Sequence, residues 1–302
     1  MEKVLSGIRS TGQLHLGNYF GAVRNFVQLQ HEKECYFFIA NLHALTTHPE
    51  PAQLKKSVKG VLAEYIACGI DPDASAIYVQ SDVPEISELF VLLNMLAYKG
   101  ELEKSTSFKE KIKKHNENIN AGLLTYPVLM AADILIHRAH KVPVGKDQEQ
   151  HLEMTRNFAQ RFNHRYGTDF FPEPYAYDFS GELVKVPGLD GNGKMGKSEG
   201  GNNAIFLRDD DKTISKKVMK AKTDAGPSHE NSEKPEEIKN LFALLGLVST
   251  PDTIQHFDNA WNQCTIRYGD LKKQLAADMI QFISPIREKI VDLDNNEALL
   301  KK

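Results

Sequence analysis

Residues 4–22, VLSGIRSTGQLHLGNYFGA, decide the fold class. A short apolar run opens this segment and ends in a turn that contains Gly12. Beyond the turn, apolar residues recur at the spacing of a helix, at Tyr19, Val23, Phe26 and Val27. A strand, a glycine-containing turn and a helix in this order are typical of the first unit of a parallel α/β sheet.

The rest of the chain first repeats this strand–helix pattern and then changes in composition. Further apolar runs at 35–40, 77–80 and 141–144 predict buried strands, and helical patterns cover 51–68 and the residues after Asp147. From about residue 175 to 201 the sequence is rich in Gly, Pro and Asp, which predicts a loop or joint between domains. Residues 212–302 show helical periodicity only. The sequence therefore predicts an α/β domain followed by a smaller, all-helical C-terminal domain.

Composition excludes several classes of protein. The chain has 302 residues, with 37 basic and 40 acidic side chains and a net charge of −3, so it lacks the basic footprint of a DNA-coating protein. Its three cysteines form no CxxC pair that could hold zinc or an iron–sulfur cluster, and an odd, sparse set of cysteines fits a reducing compartment. The N-terminus lacks the apolar core of a secretory signal, and no stretch is long and apolar enough to span a membrane. We expect a cytoplasmic protein that binds neither membrane nor DNA.

Small and polar residues follow the predicted strands. They are 7–12 after the first strand, Asn41 and His43 after the second, Ser81 after the third and 145–148 after the fourth. Because ligands of open parallel sheets bind outside the carboxyl ends of the strands, these residues are expected to surround one site.

Two motifs suggest phosphate chemistry. In TGQLHLGNYFGA, residues 11–22, glycines permit close backbone approach, and His15 and Asn18 share the first helical turn. The alternative is a tight turn whose glycines serve packing alone. In KMGKS, residues 194–198, two lysines three positions apart can neutralise charge that develops on pyrophosphate. The alternative for this loop is a solvated surface. Neither motif is a Walker loop or a GxGxxG fingerprint.

Asp133 is conspicuous because it follows Ala131 and Ala132 in an apolar segment, where an unpaired carboxylate is costly. It predicts a buried hydrogen-bond acceptor. A capping or salt-bridged aspartate is one alternative. Another is a metal cluster with His137 and His140, although no fourth ligand is evident.

The turn around His15 and the KMGKS loop resemble the HIGH and KMSKS signatures of class I aminoacyl-tRNA synthetases. Four stretches, SGIRSTGQLHLGNYFGA, AGLLTYPVLMAADIL, VPVGKDQEQHLEMTRNFAQRFN and KMGKS, are similar to the bacterial tryptophanyl-tRNA synthetase family in order and spacing, up to about residue 290. The resemblance implies a Rossmann catalytic domain over 1–187 that binds ATP and tryptophan. It also implies that 188–302 contain the KMGKS loop and a helical domain on the anticodon side of tRNA(Trp), in a homodimer.

The resemblance also implies roles for individual residues. The catalytic residues would be His15, Lys111, Lys194 and Lys197. The residues lining the ATP site would be Arg9, Ser10, Thr11, Gly17, Asn18, Gly145, Lys146, Asp147, Val186, Lys194, Met195, Gly196, Lys197 and Ser198. The residues binding L-tryptophan would be Leu5, Gly7, His43, Tyr126, Met130, Asp133, Val144 and Gln148, with Asp133 accepting the indole N–H.

The implied activity is that of a tryptophan–tRNA ligase, which forms tryptophanyl-adenylate and pyrophosphate and then charges tRNA(Trp). Its cofactors would be ATP and the Mg²⁺ that ATP carries, with no metal site on the protein. The alternatives are a tyrosyl-tRNA synthetase, another HIGH-type nucleotidyltransferase, and a non-catalytic paralogue that binds tryptophan or tRNA.

The chain departs from the family pattern at three places. Arg9 and Ser10 stand where relatives commonly have Gln and Pro, and Gly196 replaces the serine of KMSKS. The sequence also stops at Lys302, before the long C-terminal helix of relatives, so either the lineage is shorter or the chain is truncated. We expect the loop substitution to alter flexibility or ATP affinity while both lysines remain.

Overall fold

The computed structural model describes residues 2–10, 12–114, 119–145, 148–177, 184–191, 193–196, 203–296 and 300. The strands are β1 (Lys3–Arg9), β2 (Glu34–Ala40), β3 (Ala76–Val79), β4 (Lys141–Val142) and β5 (Tyr175–Ala176). The helices before β4 are α1 (Leu16–Asn18), α2 (Arg24–Leu29), α3 (Asn41–Ala44), α4 (Pro51–Ala67), α5 (Pro84–Asn94), α6 (Lys99–Leu102), α7 (Thr106–Lys114), α8 (Ala121–Leu124) and α9 (Tyr126–Ile136). Those after β4 are α10 (Glu149–Tyr166), α11 (Asp211–Met219), α12 (Glu236–Val248), α13 (Pro251–Asn262) and α14 (Tyr268–Asn295). A π-helical turn, Tyr19–Val23, joins α1 to α2, and 3₁₀ turns cover Leu45–Thr47 and Gln80–Asp82.

The five strands form one sheet in the order β3-β2-β1-β4-β5, and every pair is parallel. The predicted parallel sheet is thus confirmed. Strand order reverses between β1 and β4, so the sheet has its topological switch point there. The sequence did not indicate β5, whose two residues are too few to show a period.

Two apolar clusters hold the helices against this sheet. One joins α5, α9 and α10 through buried residues such as Leu93, Val128 and Phe158. The other contains Leu5 and Phe38 from the sheet together with Ile134 of α9 and Leu152 of α10. The helix α9 is therefore clamped on both sides, which fixes the direction of its polar side chains.

The chain divides into two compact units. The first comprises 1–12, 28–61 and 70–181 and contains the whole sheet. The second comprises 13–27, 62–69 and 182–302, and its largest continuous part carries the four helices α11–α14. The long α14 passes through Pro285 and buries Leu271, Leu275, Met279 and Ile283. The division at 187/188 expected from the sequence stays a prediction, because the second unit also takes in two earlier segments.

Within the described part of the chain, no helix is both long enough and apolar enough to cross a membrane.

Candidate active site

A pocket of about 470 Å³ opens at the switch point of the sheet, and its walls belong to the first unit. The ends of β1 and β4 form one side, through Gly7, Arg9 and Val144. The helix α9 forms another, because Tyr126, Met130 and Asp133 are spaced i, i+4 and i+7 and so share one helical face. Its other lining residues are Leu5, Ser6, Phe38, Ala40, His43, Ser107, Lys111, Ile134, Val142, Pro143, Gly145, Gln148 and His151.

Gly7 matters for the shape of this pocket. A Cβ at this position would lie 2.5 Å from the ring carbons of Phe38, which is closer than side chains approach. The ring of Phe38, in the neighbouring strand β2, occupies the space that a Cβ at position 7 would need, so only glycine fits there.

The deep end of the pocket is built around Asp133, whose side chain is fully buried. Its Oδ2 lies 2.7 Å from His43 Nε2. The side-chain amide N–H of Gln80 donates to Oδ1 at 2.8 Å and to Oδ2 at 3.0 Å. This trio is the Asp133 network. It replaces water around the carboxylate with fixed donors, as a buried charge requires.

Burial and hydrogen bonding act on this carboxyl in opposite directions. Burial raises the pKa of Asp133, and the hydrogen bonds from His43 and Gln80 lower it, with burial the larger effect. The other ring nitrogen of His43, Nδ1, is buried and has no hydrogen-bond partner among the described residues. The network therefore brings hydrogen-bonding side chains, His43 and Asp133, to the pocket lining.

The opposite end of the pocket is cationic. The Lys111 Nζ atom lies 4.7 Å from the centroid of the Tyr126 ring, and the Arg9 guanidinium carbon lies 5.3 Å from it. Burial lowers the pKa of Lys111, and the nearby charge of Arg9 lowers it further. No carboxylate of the described residues pairs with either cation. Two half-buried cations that no described carboxylate neutralises form a site suited to an anion.

A hydrogen-bonded chain links α10 to α7 beside Tyr126. The Gln148 Oε1 atom lies 2.9 Å from His151 Nδ1, and His151 Nε2 lies 2.8 Å from the Ser107 hydroxyl. Because Gln148 and His151 are three residues apart, both side chains face the pocket from the start of α10. These hydrogen bonds hold the Gln148 side chain in place at the pocket lining.

The alternative of a metal cluster at Asp133, His137 and His140 is contradicted by the partners of the two histidines. His137 Nε2 instead lies 2.8 Å from the Tyr78 hydroxyl, and His140 Nδ1 accepts the backbone N–H of Lys3 at 3.4 Å. Across the described residues, no group of three or more His, Cys, Asp and Glu side chains is placed to hold a metal ion.

In the second unit, His15 and Asn18 cap the start of α1 reciprocally. The Asn18 backbone N–H donates to His15 Nδ1 at 3.3 Å, and the His15 backbone N–H donates to Asn18 Oδ1 at 3.1 Å. A Cβ at Gly17 would lie 2.8 Å from His15 Nδ1, so this glycine makes room for the imidazole. The turn predicted from the sequence thus holds its histidine in one position.

The described part of the KMGKS loop lies in the same unit. The Met195 backbone N–H donates to the Val186 carbonyl at 2.8 Å, and Lys194 pairs with Pro187 in an antiparallel bridge. Met195 and Val186 are buried, and Lys194 is exposed. The loop therefore starts from an anchored β-bridge, and its first lysine is exposed.

The structure brings together in one pocket every residue predicted for tryptophan, together with Arg9, Lys111 and Gly145. Ser10 is buried at the end of β1. The predicted residues that lie outside the described part of the chain are Thr11, Lys146, Asp147, Lys197 and Ser198. Three residues of the site were not predicted from the sequence: Gln80, which was assigned to the end of a strand, His151 and Ser107. The one sequence signal that could have indicated His151 is its i, i+3 spacing from Gln148.

Comparison with known proteins decides the family. The family model described as tRNA synthetases class I (W and Y), for tryptophan and tyrosine, matches residues 1–284. A curated tryptophan–tRNA ligase from Porphyromonas gingivalis is 63% identical over 302 residues, covering 100% of this chain and 92% of the relative. The chain belongs to the bacterial tryptophanyl-tRNA synthetase family. A second such ligase, from Helicobacter pylori, is 43% identical over 98% of this chain and 90% of the relative.

The crystal structure of the tryptophanyl-tRNA synthetase from Campylobacter jejuni, determined with ADP and tryptophan, is similar to this chain with a TM-score of 0.89. The two are 34% identical over 99% of this chain and 91% of that one. Family membership and this similarity confirm the predicted Rossmann-type fold and the predicted enzyme class, an aminoacyl-tRNA synthetase. Tryptophan–tRNA ligase, rather than the tyrosine enzyme, is confirmed by relatives that match the full length of the chain.

Proposed function

We propose that the pocket at the switch point binds L-tryptophan, with Asp133 accepting the indole N–H. The observation that carries this proposal is a fully buried carboxylate, held by two donors, at the deep end of a largely apolar pocket. A carboxylate has about four lone-pair positions, so Asp133 retains capacity for one more donor. Phenylalanine would leave that capacity unused and the acceptor desolvated, which disfavours its binding.

The cationic end would receive the charged groups of the reactants. We assign the tryptophan ammonium to Gln148 Oε1 and Tyr126, which the family resemblance also implies. Arg9 and Lys111 would neutralise negative charge on the tryptophan carboxylate and the ATP phosphates, since they have no described acidic partner of their own. The ADP and tryptophan of the Campylobacter jejuni structure support nucleotide and amino-acid binding by this fold.

In the reaction, a carboxylate oxygen of tryptophan attacks the α-phosphorus of ATP, and the bond to the β-phosphate oxygen breaks to release pyrophosphate. The terminal ribose hydroxyl of tRNA(Trp) then attacks the carbonyl of the adenylate and releases AMP. Both steps require alignment and charge neutralisation, and neither requires a nucleophile from the protein. Mg²⁺ would enter as part of the ATP complex and neutralise phosphate charge, together with the cations Arg9 and Lys111 that line the pocket.

The remaining assignments for ATP are made within each unit separately. In the first unit they are Arg9, Ser10, Gly145 and, as the residue expected to reach the triphosphate, Lys111. In the second unit they are His15, Gly17, Asn18, Val186, Lys194, Met195 and Gly196. The backbone hydrogen bond between Met195 and Val186 and the capped turn at His15 support the second group, because each holds its backbone in one conformation.

An exposed apolar stripe in the first unit supports a homodimer. Val91, Leu92, Met95 and Tyr98 lie along the end of α5 and the turn that follows, and they are between 53% and 77% exposed. Contiguous apolar side chains on a surface indicate a contact with another protein. We propose that a second copy of the chain covers this stripe. A cytoplasmic location, where tRNA is charged, belongs to the same proposal.

The experiment that tests the function is amino-acid-dependent ATP–pyrophosphate exchange, with tryptophan, tyrosine and phenylalanine compared at equal concentrations. We expect exchange with tryptophan alone. Exchange with tyrosine would overturn the assignment of Asp133 to the indole N–H. Absence of exchange by folded protein would favour the non-catalytic paralogue.

The homodimer is tested by light scattering of the purified chain and of Leu92→Glu. We expect a mass of twice 34.0 kDa for the unaltered chain and a shift toward monomer for the variant, because a charge in an apolar contact is desolvated without a partner. Val291→Glu, on the exposed face of α14, is the matched control and should leave the mass unchanged. A monomeric wild-type chain at micromolar concentration would contradict the proposal.

A further inference from the structure

Gln80 lies behind the pocket, immediately after β3, and its side chain is fully buried. Its two functional atoms are both engaged. Oε1 accepts the backbone N–H groups of Leu42 and His43 at 3.0 and 3.3 Å. Nε2 donates to both oxygens of Asp133. One amide thus joins the end of β3 to the start of α3 and to the carboxylate on α9.

The orientation of this amide follows from its partners. Backbone N–H groups can only donate, so the atom facing Leu42 and His43 must be the oxygen, and the NH₂ group must face Asp133. A donor in that place favours the ionised form of the carboxyl over the protonated form. In the ionised form Asp133 can only accept, so His43 Nε2 then carries the proton between the two side chains. Gln80 therefore fixes the plane of the carboxylate and the hydrogen-bonding sense of the whole Asp133 network.

We propose that Gln80 is a positioning residue for tryptophan selection, which holds Asp133 as an ionised acceptor aimed at the indole N–H. The inference rests on the proposed function, in which Asp133 binds that N–H. Gln80 is absent from the pocket lining that the described residues define, so it acts through Asp133 and His43 and does not touch the substrate.

If Gln80 had a purely structural role, its substitution would affect all amino-acid substrates alike. By accepting the N–H groups at the start of α3, Gln80 Oε1 also stabilises that helix, and this contribution is independent of the ligand. The two roles reside in different atoms of one amide. Gln80→Glu keeps the oxygen that caps α3 and replaces the NH₂ with an oxygen facing Asp133. Gln80→Met removes both atoms at similar volume.

The test compares tryptophan with 3-(3-benzothienyl)alanine, in which sulfur replaces the indole N–H, by kcat/KM in pyrophosphate exchange. Wild-type protein should prefer tryptophan because only tryptophan donates to Asp133. We expect the preference to fall about tenfold or more in Gln80→Glu and Gln80→Met, mainly through a higher KM for tryptophan, since a misdirected charged hydrogen bond loses roughly 1.5–3 kcal/mol. The KM for ATP should stay near its wild-type value and serves as the check on folding.

Gln30→Glu is the matched control. Gln30 is also a buried glutamine of the first unit whose Oε1 accepts a backbone N–H, from Asp71 at 2.8 Å. Its substitution should leave the preference for tryptophan unchanged. If Gln80→Glu keeps the wild-type preference, or loses activity equally with both amino acids, Gln80 has only a structural role. If wild-type protein itself shows no preference, the assignment of Asp133 fails instead.

Discussion

The two ends of the pocket recognise their ligand by different physical means. At the deep end, Asp133 is surrounded by fixed donors from His43 and Gln80, and its hydrogen bonds are directional. At the other end, Arg9 and Lys111 lie against the ring of Tyr126 without a described acidic partner, and the interaction they offer is long-range charge. Tyr126 connects the two ends, because the centroid of its ring also lies 4.5 Å from the ring centroid of His43.

This difference separates selectivity from reactivity. A buried acceptor discriminates strongly between side chains with and without an N–H, since an unmatched partner is left desolvated. Cations do not discriminate between amino acids, because all of them carry the same carboxylate, but they stabilise charge that moves during phosphoryl transfer. Substitutions at the two ends should therefore affect different kinetic constants.

The largest effect is expected from breaking the deep end. Asp133→Ala removes the acceptor and leaves His43 and Gln80 with unmatched donors. We expect kcat/KM for tryptophan to fall at least about 100-fold, because breaking a buried charged network costs roughly 3–5 kcal/mol. Pyrophosphate exchange measures this loss. The KM for ATP should change little, and an equal effect on both substrates would contradict the separation of the two ends.

A smaller effect is expected at the cationic end. Lys111→Met keeps the packing of the side-chain stem on Tyr126 and removes the charge. We expect kcat to fall about 10- to 100-fold, which corresponds to one charged hydrogen bond in the transition state. The preference for tryptophan over 3-(3-benzothienyl)alanine should remain. Lys109→Met, on the exposed side of the same helix, is the control. A lost preference in Lys111→Met would mean that the two ends are coupled.

The smallest effect is a shift in the pH profile. Burial and then Arg9 lower the pKa of Lys111, so the protonated, active form is lost as pH rises through that lowered value. Arg9→Gln removes the repulsion and should move the alkaline limb of exchange activity to higher pH. The profile of kcat against pH measures this. A limb that stays in place would show that Lys111 does not titrate in that range or that burial alone sets its pKa.

Much of the fold could be predicted because its signals are local. The apolar runs that became β1 and β2 are long enough to show burial, whereas the residues of β3 are half-buried or exposed. Gly69, at a φ of +106°, lies just beyond the end of α4, as expected of a residue that stops a helix. The short strand β5 carried no such signal, since its pairing depends on β4 and not on its own residues. Local periodicity also gave no indication that the second unit consists of three separate segments of the chain.

The sequence by itself determined the parallel α/β architecture, because apolar runs and helical periodicity are local signals. Its motifs also identified the family, and the set of residues expected around tryptophan came from that resemblance. Only the tertiary structure decided how Asp133 is held. Gln80, His43 and Asp133 are far apart in sequence, and Gln80 alone looks like the polar end of a strand. The pairing of β2 with β3 and the packing of α9 bring the three together, and hydrogen bonds between such distant residues leave no period to detect.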